Sequence, residues 1–193
     1  MNKLQIEAAA CYEWQTPAEM LQRVERMNEL LGTAFRSNVA KEFREGWIAA
    51  RFGSHQQADA VRLIRERHSV PTPDFELMAG QVKTQYESTE VYLPEVLRST
   101  GRSLTITSLE RVCHVAADAA QKKASKDYGG CHGLIVYISS PQMSFEPELR
   151  WPRVQSALEP ASMRFTEVWI LKESFALAWQ NGVAVPGDIH TEF

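Results

Sequence analysis

The chain has 193 residues, of which 44% are hydrophobic and 23% charged, and its formal net charge is −3. This balance is that of a globular domain and excludes a disordered, collagen-like or coiled-coil chain. Its apolar runs are all shorter than the roughly 18 residues of a membrane helix, so we expect no membrane partner. The net charge disfavours a protein that coats nucleic acid by bulk charge, while a local basic patch is compatible with it.

The three cysteines, Cys11, Cys113 and Cys131, are too few and too widely spaced to indicate a disulfide framework. Two of them precede a histidine, but neighbouring residues of a helix or strand point in different directions, which disfavours a zinc site. Near the N-terminus, Glu7 interrupts the apolar region that a signal peptide would need. We therefore expect a reducing, cytoplasmic location.

Two helices are predicted at the start of the chain. The first begins at Pro17, is capped by Thr16 and ends near Gly32, because apolar residues between them recur at helical spacing. The second covers about residues 37–52, and Gly53 is predicted to end it.

A β-hairpin is predicted after an ambiguous segment. Residues 54–68 fit either another capped helix or a short strand, because short apolar runs cannot be assigned by periodicity. Strands are predicted over 74–79 and 82–91, joined by a two-residue turn of Gly80 and Gln81.

The remainder of the chain alternates between helical and extended patterns. A long helix is predicted over about residues 108–127, followed by a buried strand over 132–139. Residues 141–164 contain four prolines and are predicted to be irregular. A further strand covers 165–172, and 174–179 fits a short helix or an edge segment. This order predicts a single α/β domain with a central mixed sheet.

The two-residue turn sets the register of the predicted hairpin, with Glu76 opposite Gln85 and Asp74 opposite Glu87. Opposed residues share a face of the sheet with Cβ atoms ~4.5–5.5 Å apart, and a slip of one residue would mix the polar and apolar faces. Two opposed carboxylates repel each other, and Mg²⁺, which takes one or two protein carboxylates, would relieve that repulsion. The alternative is an ordinary solvated face of an amphipathic hairpin.

The residues around this hairpin resemble the PD-(D/E)XK nuclease superfamily, which has the restriction-endonuclease-like fold. The similarity is carried by Pro73-Asp74-Phe75-Glu76-Leu77, the glycine turn and Tyr86-Glu87-Ser88-Thr89. In that family an Asp follows a Pro at the start of one strand, and a Glu-x-Lys lies on the next antiparallel strand. Asp74 matches the first of these positions and Glu87 the second.

The flanking segments extend the resemblance to about residues 45–172. Residues 45–52 look like the family's first helix, in which Glu45 is the acidic residue, and Glu42 one turn earlier is the alternative. Residues 121–128 and 132–137 look like its crossover helix and strand. The resemblance also makes residues 60–65 the first core strand.

The resemblance implies an αβββαβ core preceded by N-terminal helices, with residues 1–36 as a helical extension and 37–193 as the nuclease-like domain. It implies hydrolysis of phosphodiester bonds of nucleic acid with Mg²⁺ or Mn²⁺. A homodimer is compatible with the sequence. The implied site consists of Asp74 and Glu87 as metal ligands, Glu45 nearby, and Glu76, Gln85 and Thr89 around the ligands.

The sequence departs from the family pattern at Thr89, which stands where the family has a catalytic Lys. Lys83 lies on the same strand face, but at ~3.3 Å per residue it is about 13 Å from Glu87 along the strand. Lys123 falls within the apolar stripe of the predicted helix 108–127, whereas the two neighbouring lysines point away. Lys123 is therefore the predicted displaced Lys, and the alternative is that its ammonium group only reaches the helix edge.

Charge changes sign along the middle of the chain. Residues 73–97 contain five acids and one base, and residues 98–126 contain six bases and two acids. Phosphate binding would use such an arrangement, although solvated helix charges produce the same pattern. The favoured function is a metal-dependent nuclease. The alternatives are a catalytically inactive nuclease-fold protein that binds nucleic acid or protein, and an unrelated α/β protein whose hairpin is acidic by accident.

Overall fold

The computed structural model describes residues 2–31, 39–66, 70–91, 109–138, 147–172 and 174–186. Within these ranges the chain forms six helices and seven strands, so the fold is mixed α/β, as predicted. No helix in the described ranges has the length and apolar character that crossing a membrane requires. The chain divides into two compact units, Met1–Glu87 with Tyr128–Cys131, and Ser88–Asp127 with His132–Phe193.

The first unit contains three helices followed by three strands. Their bounds are α1 (Lys3–Ala10), α2 (Pro17–Leu31), α3 (Val39–His55), β1 (Ala60–Leu63), β2 (Phe75–Ala79) and the first part of β3 (Val82–Val91). Helix α2 begins as predicted, because the Thr16 Oγ1 accepts a hydrogen bond from the Glu19 N–H at 3.2 Å and Glu19 reaches back to the Thr16 N–H at 2.8 Å.

The predicted hairpin register is confirmed within this unit. Strand β2 pairs with β3 so that Glu76 faces Gln85 and Phe75 faces Tyr86, and β1 pairs with β2 on its other side. Gly80 adopts a φ of 60° at the first turn position, which a residue with a side chain rarely adopts. The apolar face packs against α3, where the centroid of the Phe52 ring lies 4.9 Å from the centroid of the Tyr86 ring.

The predicted helix end at Gly53 is wrong, because α3 continues through it to His55. A Cβ atom at position 53 would lie 3.1 Å from a Pro17 side-chain carbon and 3.5 Å from Leu77. Gly53 therefore permits close packing of α3 against its neighbours instead of ending the helix. The chain turns at Gln57, which has a φ of 53°, and then enters β1, the strand that the resemblance implied.

The second unit contains the end of β3 and the remaining elements. Their bounds are α4 (Leu109–Ala124), β4 (Gly133–Ile138), α5 (Pro147–Ala157), α6 (Glu159–Ser162), β5 (Glu167–Leu171), β6 (Phe175–Gln180) and β7 (Val183–Ala184). Strands β4 and β5 are parallel, whereas β6 is antiparallel to β5 and to β7. The helices α5 and α6 form the crossover that a parallel pair requires.

Two predictions in this unit need correction. Residues 141–164 are not irregular throughout, since α5 and α6 lie within them. Pro147 is the first residue of α5 and Pro160 lies in the first turn of α6, positions where the missing N–H costs little, although Pro152 lies inside α5. The segment 174–179 is neither a short helix nor an edge segment, because β6 pairs with both β5 and β7. The Asn181-Gly182 turn that follows β6 has positive φ at both residues.

Candidate active site

Asp74 and Glu87 lie at the same end of the β2–β3 hairpin. The last described pair of the ladder is Phe75 with Tyr86, and the two acids directly follow it. The Asp74 N–H donates to the Tyr86 carbonyl at 3.0 Å, and the Asp74 carbonyl accepts from the Ile64 N–H at 2.9 Å. Asp74 is therefore fixed between β1 and β3 by its own backbone, while Glu87 is 2% exposed on β3.

Glu45 of α3 completes a group of three carboxyl groups in the first unit. Its side chain is 15% exposed and forms a hydrogen bond with the Asp74 carboxyl group. Burial, followed by the negative charges of Asp74 and Glu87, raises the pKa of Glu45 to about 9. The structure thus brings Glu45, Asp74 and Glu87 together. Glu42, the alternative, accepts a hydrogen bond from the Tyr12 hydroxyl at 3.3 Å.

Tyr128 is a member of this group that the sequence reasoning missed. Its hydroxyl donates a hydrogen bond to Glu87 Oε1 at 3.0 Å, and its ring is buried. Burial, and then the negative charges of Glu87 and Asp74, raise the pKa of Tyr128 well above its ordinary value. The phenol therefore remains a hydrogen-bond donor that orients Glu87.

Lys41 is a second residue that was missed, and it supplies a positive charge beside the carboxyl groups. Its Nζ lies 3.5 Å from Glu45 Oε1 and also forms an ion pair with Glu66. Burial alone would lower the pKa of Lys41, but Glu66, Glu45 and Asp74 outweigh burial and raise it. Lysine four residues before glutamate on a predicted helix is the signal that could have indicated this pair.

Glu76 and Gln85 form a hydrogen-bonded group with Arg62. Glu76 Oε2 lies 2.7 Å from the Arg62 guanidinium, and Glu76 Oε1 accepts from Gln85 Nε2 at 2.7 Å. Burial would raise the pKa of Glu76, but the hydrogen bonds from Gln85 and Arg62 lower it overall. Glu76 and Gln85, which were predicted to surround the metal ligands, thus form hydrogen bonds with each other. Thr89, the third predicted neighbour, is half-buried two residues beyond Glu87.

Lys123 lies on α4, in the second unit. Its side chain is half-buried, whereas Lys122 and Lys126 are exposed, which agrees with the helical period used to single it out. Its part in a reaction remains a prediction. Arg98 and Arg102 of the predicted basic stretch lie outside the described residues.

The oxygen atoms of these three acidic side chains suit a hard divalent cation. Oxygen ligands suit Mg²⁺, which needs only one or two protein carboxylates when water and substrate phosphate complete its shell. In the described part of the chain, no set of three or more His, Cys, Asp or Glu side chains is arranged to hold a metal ion. Asp74 and Glu87 could instead bind the ion as a pair of carboxylates, while Glu45 is hydrogen-bonded to Asp74.

Comparison of the chain with protein-family models, with curated proteins and with solved structures gives no match.

Proposed function

We propose that this protein is a metal-dependent nuclease of the PD-(D/E)XK type that hydrolyses phosphodiester bonds of nucleic acid. The observation that carries the proposal is the convergence of Glu45, Asp74 and Glu87 in one unit. Glu45 lies on α3, Asp74 directly precedes β2 and Glu87 lies on β3, which are the places that the resemblance assigns to them. The order α3-β1-β2-β3-α4-β4 also agrees with the αβββαβ core of that family.

In this proposal Asp74 and Glu87 hold Mg²⁺ or Mn²⁺. When bound there, the metal would supply polarisation of the phosphate and a water molecule of lowered pKa. Tyr128 orients Glu87 through its hydroxyl, and Glu45 carries a proton in its hydrogen bond with Asp74. Either Lys41, which lies beside Glu45, or Lys123 on α4 would provide the positive charge that Thr89 lacks.

A catalytically inactive nuclease-fold protein that binds nucleic acid or protein is the second candidate. Thr89 favours it, because the family's Lys contributes to catalysis and threonine carries no charge. Two residues could replace that Lys: Lys41, which pairs with Glu45, and Lys123 on α4.

The decisive experiment measures cleavage of labelled DNA and RNA strands and duplexes with Mg²⁺, with Mn²⁺ and with EDTA. The nuclease proposal expects cleavage only with metal, loss of cleavage in Asp74→Ala, and loss of calorimetric Mn²⁺ binding in the same variant. Glu25→Gln, an exposed change on α2 in the same unit, is the matched control. Unchanged Mn²⁺ affinity in Asp74→Ala would reject the site, and nucleic-acid or protein binding without cleavage would favour the second candidate.

A further inference from the structure

The first unit carries a cation–aromatic strip, defined here as Tyr12, Trp14, Arg62, Arg65 and Lys83. We infer that this strip binds a single-stranded polynucleotide and leads it to the carboxyl groups. The inference rests on the proposed function, because it assigns the physical form of that function's substrate. Its binding test requires no catalysis.

The strip is assembled by pairing of the N-terminal segment with β1. The Val61 N–H donates to the Gln15 carbonyl at 2.8 Å and the Gln15 N–H donates back at 3.2 Å. The Leu63 N–H donates to the Cys11 carbonyl at 2.8 Å. This pairing places Trp14 beside Arg62 across the two chain segments.

Three cations lie over the two aromatic rings. The Arg62 guanidinium carbon is 4.6 Å from the Trp14 ring centroid, and Lys83 Nζ is 5.5 Å from the same centroid. The Arg65 guanidinium carbon is 5.0 Å from the Tyr12 centroid. Arg65 and Lys83 are exposed and both rings are partly exposed, so solvent reaches each pair.

The strip itself carries three positive charges, and exposed Glu13 lies between its two aromatic residues in the sequence. Glu76 is balanced by Arg62 at 2.7 Å and holds that guanidinium in one plane. The two exposed cations, Arg65 and Lys83, then remain to attract phosphates. Indole rings and guanidinium planes are groups on which bases stack, and lysine acts as a point charge for the backbone.

The strip reaches the carboxyl groups at one end. At this end the Tyr12 hydroxyl donates to Glu42 on α3, one turn from Glu45. Lys83 marks the other end, because it lies one residue after β3 begins at the hairpin turn. A strand following the strip would therefore place a phosphodiester near Glu45. Stacking on Trp14 requires an unpaired base, because bases within a duplex already stack on each other, so the geometry favours single strands.

The test measures fluorescence anisotropy of a labelled oligo(dT) strand of about 12 nucleotides in EDTA. The wild type should bind this strand more tightly than a duplex of the same length. Trp14→Ala should weaken binding ~10-fold, which lies within the roughly 5- to 150-fold that stacking of one base contributes, and Trp14→Phe should restore part of the loss. Lys83→Ala should reduce the slope of log K against log salt by ~0.7.

The matched control is Lys3→Ala, an exposed lysine of the same unit outside the strip, which should bind like the wild type. Lys83→Ala keeps the test valid if Trp14→Ala fails to fold. Unchanged affinity in both strip variants, equal binding of duplex, or no binding by the wild type would overturn the inference. Binding through the strip without metal-dependent cleavage would instead reject the nuclease activity and leave the strip intact.

Discussion

Replacing Glu45 by Gln should stabilise the metal-free protein at neutral pH. Glu45 has a pKa of about 9 in the folded chain against an ordinary value of 4.5, because burial and the nearby Asp74 and Glu87 disfavour its charge. At pH 7 the unfolded chain is ionised at this residue, so folding must bind a proton. At about 1.4 kcal/mol per pH unit, the interval from 4.5 to 7 corresponds to about 3.4 kcal/mol.

The sign of the pH dependence follows from the raised pKa. The stability associated with Glu45 is fully present below pH 4.5 and is lost progressively as the pH rises towards 9, where the folded protein also ionises. Glutamine is neutral at every pH and its amide can donate to Asp74. Because the Glu45 side chain retains 15% exposure, we expect about 1–3 kcal/mol at pH 7, and close to zero at pH 4.

Thermal unfolding in EDTA between pH 4 and pH 8.5 would measure this difference. For a chain of this length the expected gain corresponds to a rise in Tm of roughly 2–12 °C at pH 7. Glu25→Gln, an exposed change on α2, is the control and should show no pH-dependent difference. A difference between Glu45→Gln and wild type that does not vary with pH, or a loss of stability at pH 7, would refute the reasoning.

Three further changes test the other members of the site. Glu87→Gln should raise the metal-free Tm and remove the rise that Mg²⁺ produces by mass action, and destabilisation of the metal-free protein would show that its charge is not repelled there. Tyr128→Phe should lower the free energy of unfolding by about 1–3 kcal/mol in denaturant titrations, because buried Glu87 loses a donor, and an unchanged value would exclude that contribution. Lys41→Ala and Lys123→Ala should distinguish the two candidate lysines. Replacing the lysine that acts in catalysis should reduce the cleavage rate about 100-fold without changing Mn²⁺ affinity. A variant that cleaves as fast as the wild type would reject a catalytic role for the lysine it lacks.

The hairpin and the start of α2 could be predicted because their signals are local, whereas α1 (Lys3–Ala10) was not predicted. The Gly80 turn and the alternation of polar and apolar residues determine the register, and Thr16 with Pro17 marks the start of α2. The sequence therefore already indicated Asp74 and Glu87 as neighbours at one end of the hairpin. Gly53 was misinterpreted because its packing against Pro17 arises only in the tertiary structure.

The remaining members of the site depend on contacts without a periodic signal. Tyr128 and Glu87 are 41 residues apart, and nothing in the sequence near Tyr128 indicates that its hydroxyl reaches a buried carboxylate. Lys41 could be placed one turn from Glu45, but not beside Glu66, which lies 25 residues away. The Asn181-Gly182 turn, by contrast, is predictable from the sequence, because that dipeptide is a strong local signal for a hairpin turn.

The pairing of residues 11–15 with β1 has a consequence for aggregation. Strand β1 is hydrogen-bonded to β2 on one side, and on its other side the N–H groups of Val61 and Leu63 donate to the N-terminal segment. A chain shortened to begin within α2 would leave these groups unpaired on an apolar strand, which is a template for edge-to-edge association with another molecule. The N-terminal segment thus covers this edge of β1, and its removal should promote precipitation before the core itself unfolds.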